Sequence, residues 1–251
     1  MAIAANGGVL VLGGAGELGS EVVKVLVAAG ECVTVLARPT SNRGRLDGLD
    51  ISYVIGDMLV EADMERVFTE VSYRAVVDAS SGPYREMANA TSELLKAQSF
   101  YEESQNIISK WAAATRVQHL ILHGTVGAGS SVDLVHVENL FEVQRLALAS
   151  KNKAEKILAS SGVPYTIIRH LTVLPLAVQE SGKARLSTDL TEVGAVTRDG
   201  LARLTLECLG NAECLNAIFH AMDDEVPLPA ETIEICKQAL KAEVFRVCFY
   251  A

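Results

Sequence analysis

Short apolar runs alternate along the chain with longer stretches in which apolar positions recur every three or four residues, the pattern of strands followed by helices. Val9-Leu-Val-Leu12 is the first such run. It meets a glycine-rich turn, and an amphipathic stretch from Glu17 to Ala29 then closes on Gly30, a helix stop. Val33–Ala37, Ile51–Ile55 and Ala75–Asp78 read as strands two to four, with helical periodicity from Ala62 to Val71 between the last two. A helix-compatible region over Tyr84–Ala114 leads to a fifth strand at His119–His123. The period over Val137–Ser160 predicts a further helix, and Pro164–Arg169 is strand six. Beyond Leu174 the regularity weakens: Arg198–Leu209 and Pro229–Leu240 read as helical, Asn216–Ala221 and Val244–Tyr250 as extended.

Strands that alternate with helices imply right-handed crossovers and a parallel sheet covered on both faces. The expectation is therefore a doubly wound, mainly parallel α/β sheet of Rossmann type. Its 251 residues suit a single domain, with 174–251 forming a smaller C-terminal substrate region. Composition alters this picture little. Hydrophobic residues make up 49% and charged residues 21%, and no apolar run is long enough to span a bilayer, so no membrane partner is expected. The start shows neither a basic region nor an extended apolar one, which points to the cytoplasm. Five cysteines, at positions 32, 208, 214, 236 and 248, show no metal or redox spacing and read as buried thiols, and no His, Asp or Glu cluster has metal-ligand spacing. A net charge of −9 disfavours nucleic acid as a partner and leaves a small molecule; a homo-oligomer is compatible with the chain.

The chemistry concentrates first in Gly13-Gly-Ala-Gly16-Glu-Leu-Gly19. Between a first strand and a first helix, the first glycine permits a tight turn, the second lets backbone approach phosphate, and the third allows close helix packing. Gly13, Gly16, Glu17, Leu18 and Gly19 are thus expected to cradle a dinucleotide pyrophosphate, with Glu17 acting through its backbone at the helix N-terminus. The bland alternative is a flexible turn.

The spacing is G-x-x-G-x-x-G, and here the sequence resembles the short-chain dehydrogenase/reductase superfamily, in particular its atypical NmrA-like members. Four features carry the resemblance over about the first 175 residues: the turn itself, Arg38 after strand two, Gly56-Asp57 after strand three, and Ser161-Gly-Val-Pro-Tyr-Thr-Ile-Ile-Arg169. The resemblance implies that Asp57 and Met58 sit against the adenine. It places Ala79, Ser80 and Ser81 along the pyrophosphate and ribose, and Leu171, Thr172 and Val173 over the nicotinamide. For Asp57 a helix cap is an equal and compatible reading.

The residue that ends strand two decides the cofactor, because an acid there bonds a ribose 2′-hydroxyl whereas an arginine pairs with a 2′-phosphate. Arg38 stands at that place, with Ser41 and Arg43 as further donors, so NADP(H) is favoured and NAD(H) is the alternative.

Typical superfamily members carry Tyr and Lys four apart on one helix face, so that the ammonium lowers the phenol's pKa. None of the six tyrosines here precedes a lysine by four. Lys153 lies where atypical members keep a lysine near the nicotinamide, and a solvated helix lysine is the competing reading. Thr125 is the hydroxyl nearest the end of strand five, while His123 is either a proton donor or a buried strand residue. His136 is a second acid/base candidate by its loop position alone. The expected substrate pocket comprises the loops around 83–105, 126–140 and 174–196. These features together predict an NADP(H)-dependent reductase of a small, largely apolar organic substrate. The alternatives are a redox-sensing regulator that binds NAD(P) without turnover, or a lyase, isomerase or cyclase that keeps the cofactor structurally.

Overall fold

A computed structural model gives the structure of residues 7–82, 91–174, 182–227 and 230–241. Its elements run β1 (Gly8–Leu12), α1 (Glu17–Ala28), β2 (Val33–Ala37), β3 (Ser52–Ile55), α2 (Glu61–Glu70), β4 (Tyr73–Asp78), α3 (Thr91–Ala114) and β5 (His119–Thr125). They continue with α4 (Glu142–Ser160), β6 (Tyr165–His170), β7 (Thr172–Leu174), β8 (Arg185–Ser187), β9 (Ala195–Thr197), α5 (Arg198–Cys208), β10 (Ala217–Met222) and α6 (Ala230–Ala239).

Among the described residues, eight strands form one sheet in the order β3-β2-β1-β4-β5-β6-β10-β8, all parallel except β8 at the edge. The order reverses between β1 and β4, which makes the carboxyl ends of those strands the place where a ligand crevice opens. Side chains alternate across the sheet. Val9 and Val11 pack with Val22, Val23 and Leu26 of α1 and Leu201 and Leu204 of α5. Leu10 and Leu12 pack with Met64 and Phe68 of α2, Ile108 of α3 and Leu158 of α4. Both faces are therefore covered, and each of these fully buried aliphatic side chains is worth about 1.5–3 kcal/mol. Helix α1 stops where Gly30 takes φ +84°, with its amide on Val27 O at 2.9 Å and that of Glu31 on Leu26 O at 3.0 Å.

Several expectations change. Among the described residues the sheet extends past the six strands read as far as Arg169: β10, expected only as an extended segment, joins beside β6 in parallel and β8 closes the edge. The long helix begins at Glu142 and not at Val137: residues 137–139 form a 3-10 turn pinned by the C-terminal helix, with the His136 amide on Ala239 O and Asn139 Nδ2 on Gln238 O, both at 2.8 Å. The Gln144 side chain then accepts from the Phe141 amide and caps the new start. Cys208, Cys214 and Cys236 are buried as expected, but Cys32 is exposed, since it precedes β2 outside the core. The expected strand at 244–250, Cys248 within it, and parts of the loops 83–105 and 174–196 lie outside the described residues.

Candidate functional site

Strand β1 delivers the chain into the glycine turn at the sheet's carboxyl edge. Gly13 has φ +73°, and a Cβ on it would stand 2.6 Å from Ser80 Cα, so the turn lies flush on the chain leaving β4. The Gly16 amide closes the turn on Gly13 O at 2.9 Å, and a Cβ on Gly19 would fall 2.1 Å from that same oxygen. Gly16 is the N-cap of α1 and has no side chain to cap the helix, which leaves the first-turn amides of Glu17 and Leu18 as donors for an anion. A cradle built by close backbone packing and edged by amides suits a pyrophosphate.

A cleft of about 500 Å³ opens beside it, lined by Arg38, Pro39, Thr40, Ile55, Gly56, Asp57 and Asp63. The Gly56 amide bonds Ala37 O at 3.1 Å, tying the ends of β3 and β2 together under the cleft. Asp57 donates its amide to Asp63 Oδ2 at 2.9 Å and accepts from Leu59 at 3.0 Å, so it shapes the turn into α2, while Met58 packs on the core beneath. Ser41 Oγ accepts from the Arg38 amide at 3.1 Å, and the Arg43 guanidinium lies over the Tyr53 ring.

On the other side of the turn the carboxyl ends of β4, β5 and β6 carry a buried polar group. Asp78 ends β4 fully inside and accepts from the Ser80 amide at 2.9 Å. Burial pushes its carboxyl up; the hydrogen bonds of Ser80 and the charge of Lys151 oppose that. Lys151 Nζ lies 4.5 Å from the centroid of the Tyr101 ring, and the Tyr101 hydroxyl accepts from the Gly82 amide at 3.2 Å. The ammonium is thereby held by α3 beneath the segment that leaves β4.

A profile described as NAD(P)H-binding matches residues 13–212 of this sequence, a span that begins at the first glycine of the turn. The chain belongs to this NAD(P)H-binding family, as the short-chain dehydrogenase/reductase resemblance implied. No curated protein matches it in sequence. Among solved structures it is similar to a putative NAD-dependent epimerase/dehydratase from Bacillus halodurans, with 20% identity, a TM-score of 0.70, and 92% of this chain and 100% of that one covered. Anaerobillin reductase ChuY of Escherichia coli shares 17% identity at a TM-score of 0.69, over 88% of this chain and 99% of that one. A Veillonella parvula short-chain dehydrogenase/reductase in complex with NADP shares 14% at 0.64, over 88% and 98%. These likenesses show a common fold.

Within this family fold the acid/base candidates separate. Lys153 faces α3 at the surface, its side chain 60% exposed and paired with Glu102 at 2.7 Å, whereas Lys151 is half-buried against Tyr101 and its charge acts on Asp78. Lys151 follows Leu148 by three residues and precedes Glu155 and Leu158 by four and seven, on the buried stripe of α4. That period was available in the sequence. His123 is buried, and its Nε2 meets Thr205 Oγ1 at 3.1 Å while Thr205 donates to Leu201 O at 2.8 Å. His123 is thus the donor of that contact, and Nδ1 keeps its lone pair. His136 pairs with Glu138 at the surface, 3.0 Å away. The Thr125 hydroxyl is half-buried and reaches Val126 O and His170 O only at 3.3 and 3.4 Å. Ala79 donates its amide to Leu12 O, and Ser81 Oγ turns to Gly82 O. Leu171, Thr172 and Val173 are partly buried, the last two in a short parallel ladder with β9.

Desolvation lowers His123 to about 3 and His119 to about 4, so neither is an acid at neutral pH. His119 is held neutral on two sides, accepting from the Gly210 amide at 3.2 Å through Nδ1 and meeting Thr166 Oγ1 at 2.8 Å through Nε2. An imidazole whose folded pKa is depressed stabilises the fold above about 6.5, and that stability is lost as pH falls toward the folded value. At pH 5 each of the two is expected to cost about 2 kcal/mol relative to pH 7. Thermal unfolding from pH 7 to 5 should show Tm falling, with a flatter slope in His119→Gln; a Tm independent of pH over that window refutes the assignment.

Proposed function

We propose that the protein is an NADP(H)-dependent reductase of a small, largely apolar organic substrate. The observation that carries the cofactor choice is Arg38, which with Thr40 edges the cleft at the end of β2 where an NAD-binding chain presents a carboxylate to the ribose. The family match and the NADP bound to one structural neighbour support it. The nicotinamide supplies the hydride. The chain supplies the rest: amides of Glu17 and Leu18 hold the pyrophosphate, Arg38 the 2′-phosphate, and Lys151, oriented by Tyr101, faces the ribose at the ends of β4 to β6. Of the described residues after Leu174, β8, β10 and α5 belong to the main sheet and its covering, so the substrate side is assigned to the loop 126–140. Val132 and Phe141, 38% and 77% exposed, put apolar surface on and beside the loop 126–140.

Four residues before Lys151 stands Ala147, so no phenol accompanies the lysine on its helix. Proton delivery then falls to water or to the substrate, which suits an activated double bond, a quinone or a flavin as well as a carbonyl. The same missing phenol favours a second reading, a redox sensor that binds NADP(H) without turnover. Purified protein mixed with NADPH and a panel of ketones, quinones and flavins separates the two: cofactor consumption supports the reductase, tight binding without consumption the sensor. For the cofactor itself, NADPH is expected to bind at least about ten-fold more tightly than NADH, and Arg38→Ala to erase most of that difference while leaving NADH within about three-fold. A preference for NADH rejects the assignment.

A further inference from the structure

We propose that Arg198 is a positioning residue for the phosphate seat: it holds the Glu17 carboxylate off the bound pyrophosphate and cancels its charge. The inference rests on the reading that the Gly13–Gly19 turn holds that pyrophosphate. A carboxylate at the first position of α1 is favourable to the helix by itself, but it shares the helix end with the anion the turn is built to receive. Unrestrained, it would repel the phosphates and compete for the same amides. The structure restrains it from two sides. Arg198 Nη2 bonds Glu17 Oε2 across 181 residues of sequence, with the arginine side chain only 12% exposed, and Arg45 Nη2 stands 4.0 Å from the other oxygen.

Arg198 is itself set in place. Thr197 Oγ1 accepts from the Gly200 amide at 3.0 Å and caps α5 at its first turn, and β9, immediately before it, is pinned to β7. Helix α5 packs on α1 along the sheet face they share. The C-terminal third of the chain therefore contributes a charge to the cofactor seat near its N-terminus, in a protein whose net charge of −9 otherwise opposes a polyanionic ligand.

The test is calorimetric titration of NADPH into the full chain carrying Arg198→Met, Glu17→Gln or both, at low ionic strength. Arg198→Met is expected to weaken binding roughly ten-fold, by exposing an uncompensated carboxylate beside the phosphates. Adding Glu17→Gln should restore affinity to within about three-fold of wild type, a rescue that lost packing could not produce. The deficit of the single variant should shrink in about 0.5 M salt, where the Debye length is only about 4 Å. Wild-type affinity in Arg198→Met, or no rescue in the double variant, overturns the proposal. Should Arg198→Met not fold, Glu17→Gln alone decides: binding as tight as wild type or tighter upholds the proposal, and weaker binding overturns it. If wild type binds neither NADPH nor NADH, the cofactor reading fails and takes the proposal with it.

Discussion

Gly19→Ala is expected to abolish NADPH binding, with affinity falling at least about a hundred-fold, and to destabilise the chain by roughly 1–3 kcal/mol through overpacking. The cause is contact and not backbone strain. Gly19 lies inside α1, and the added methyl would stand 2.1 Å from Gly13 O, 2.7 Å from Gly13 C and 2.8 Å from Gly14 Cα. Every one of those atoms is backbone, so no side chain can swing aside; helix and turn must part, and the amides of Glu17 and Leu18 leave their places. Gly30→Ala is the control. Gly30 has φ +84° and nothing within 4 Å of where a methyl would stand, so alanine there costs only about 1 kcal/mol of local strain and should leave binding intact. Titration of both variants with NADPH, beside their thermal unfolding, checks this; undiminished binding in folded Gly19→Ala sinks the assignment of the turn.

Glu155→Ala is expected to cost about 3–5 kcal/mol, because it strands a buried guanidinium. Arg169 has no exposed surface, and its Nε and Nη2 bond the two oxygens of Glu155 at 3.1 and 2.7 Å. Nη1 reaches Ser130 Oγ at 3.2 Å and Ser131 Oγ at 3.3 Å, so the same group holds the loop leaving β5. Gly129, at φ +52°, passes so close that a Cβ would stand 2.3 Å from Nη2. Removing the carboxylate frees that loop as well as unpairing the charge. Urea unfolding should show a lower midpoint with an unchanged slope, and a double variant replacing both partners by apolar residues should be less destabilised than Glu155→Ala. A loss below about 1 kcal/mol in Glu155→Ala would mean the pair is not isolated from water.

Arg169 marks where sequence reading stops. The motif that ends in this arginine was visible as a family feature, but its partner, fourteen residues earlier on α4, appeared only as one acid among several helix charges. Lys151 and Lys153 make the same point more sharply. Both sit in one lysine-rich stretch, two residues apart, and likeness of position favoured the second. Helical period, counted from Leu148 to Leu158, places the first on the buried face, and Tyr101 of α3 then fixes it. Asp78 is legible in the sequence as the last residue of a strand; its burial comes from the place of β4 between β1 and β5, while its bond to the Ser80 amide is local.

Local order along the chain determined the alternation of strands and helices, the glycine turn at their first junction, and Arg38 at the end of the second strand. Each is a matter of period, of backbone stereochemistry, or of one residue's chemistry at a defined place, and each is written in a short local stretch of sequence. Tertiary structure alone decided that β10 and β8 extend the sheet, that the C-terminal helix delays the start of α4 by pinning residues 136–139, and that Arg198 meets Glu17. Those outcomes are set by which faces pack together across long separations, and burial, once imposed, also decides which histidines stay neutral and which lysine faces inward.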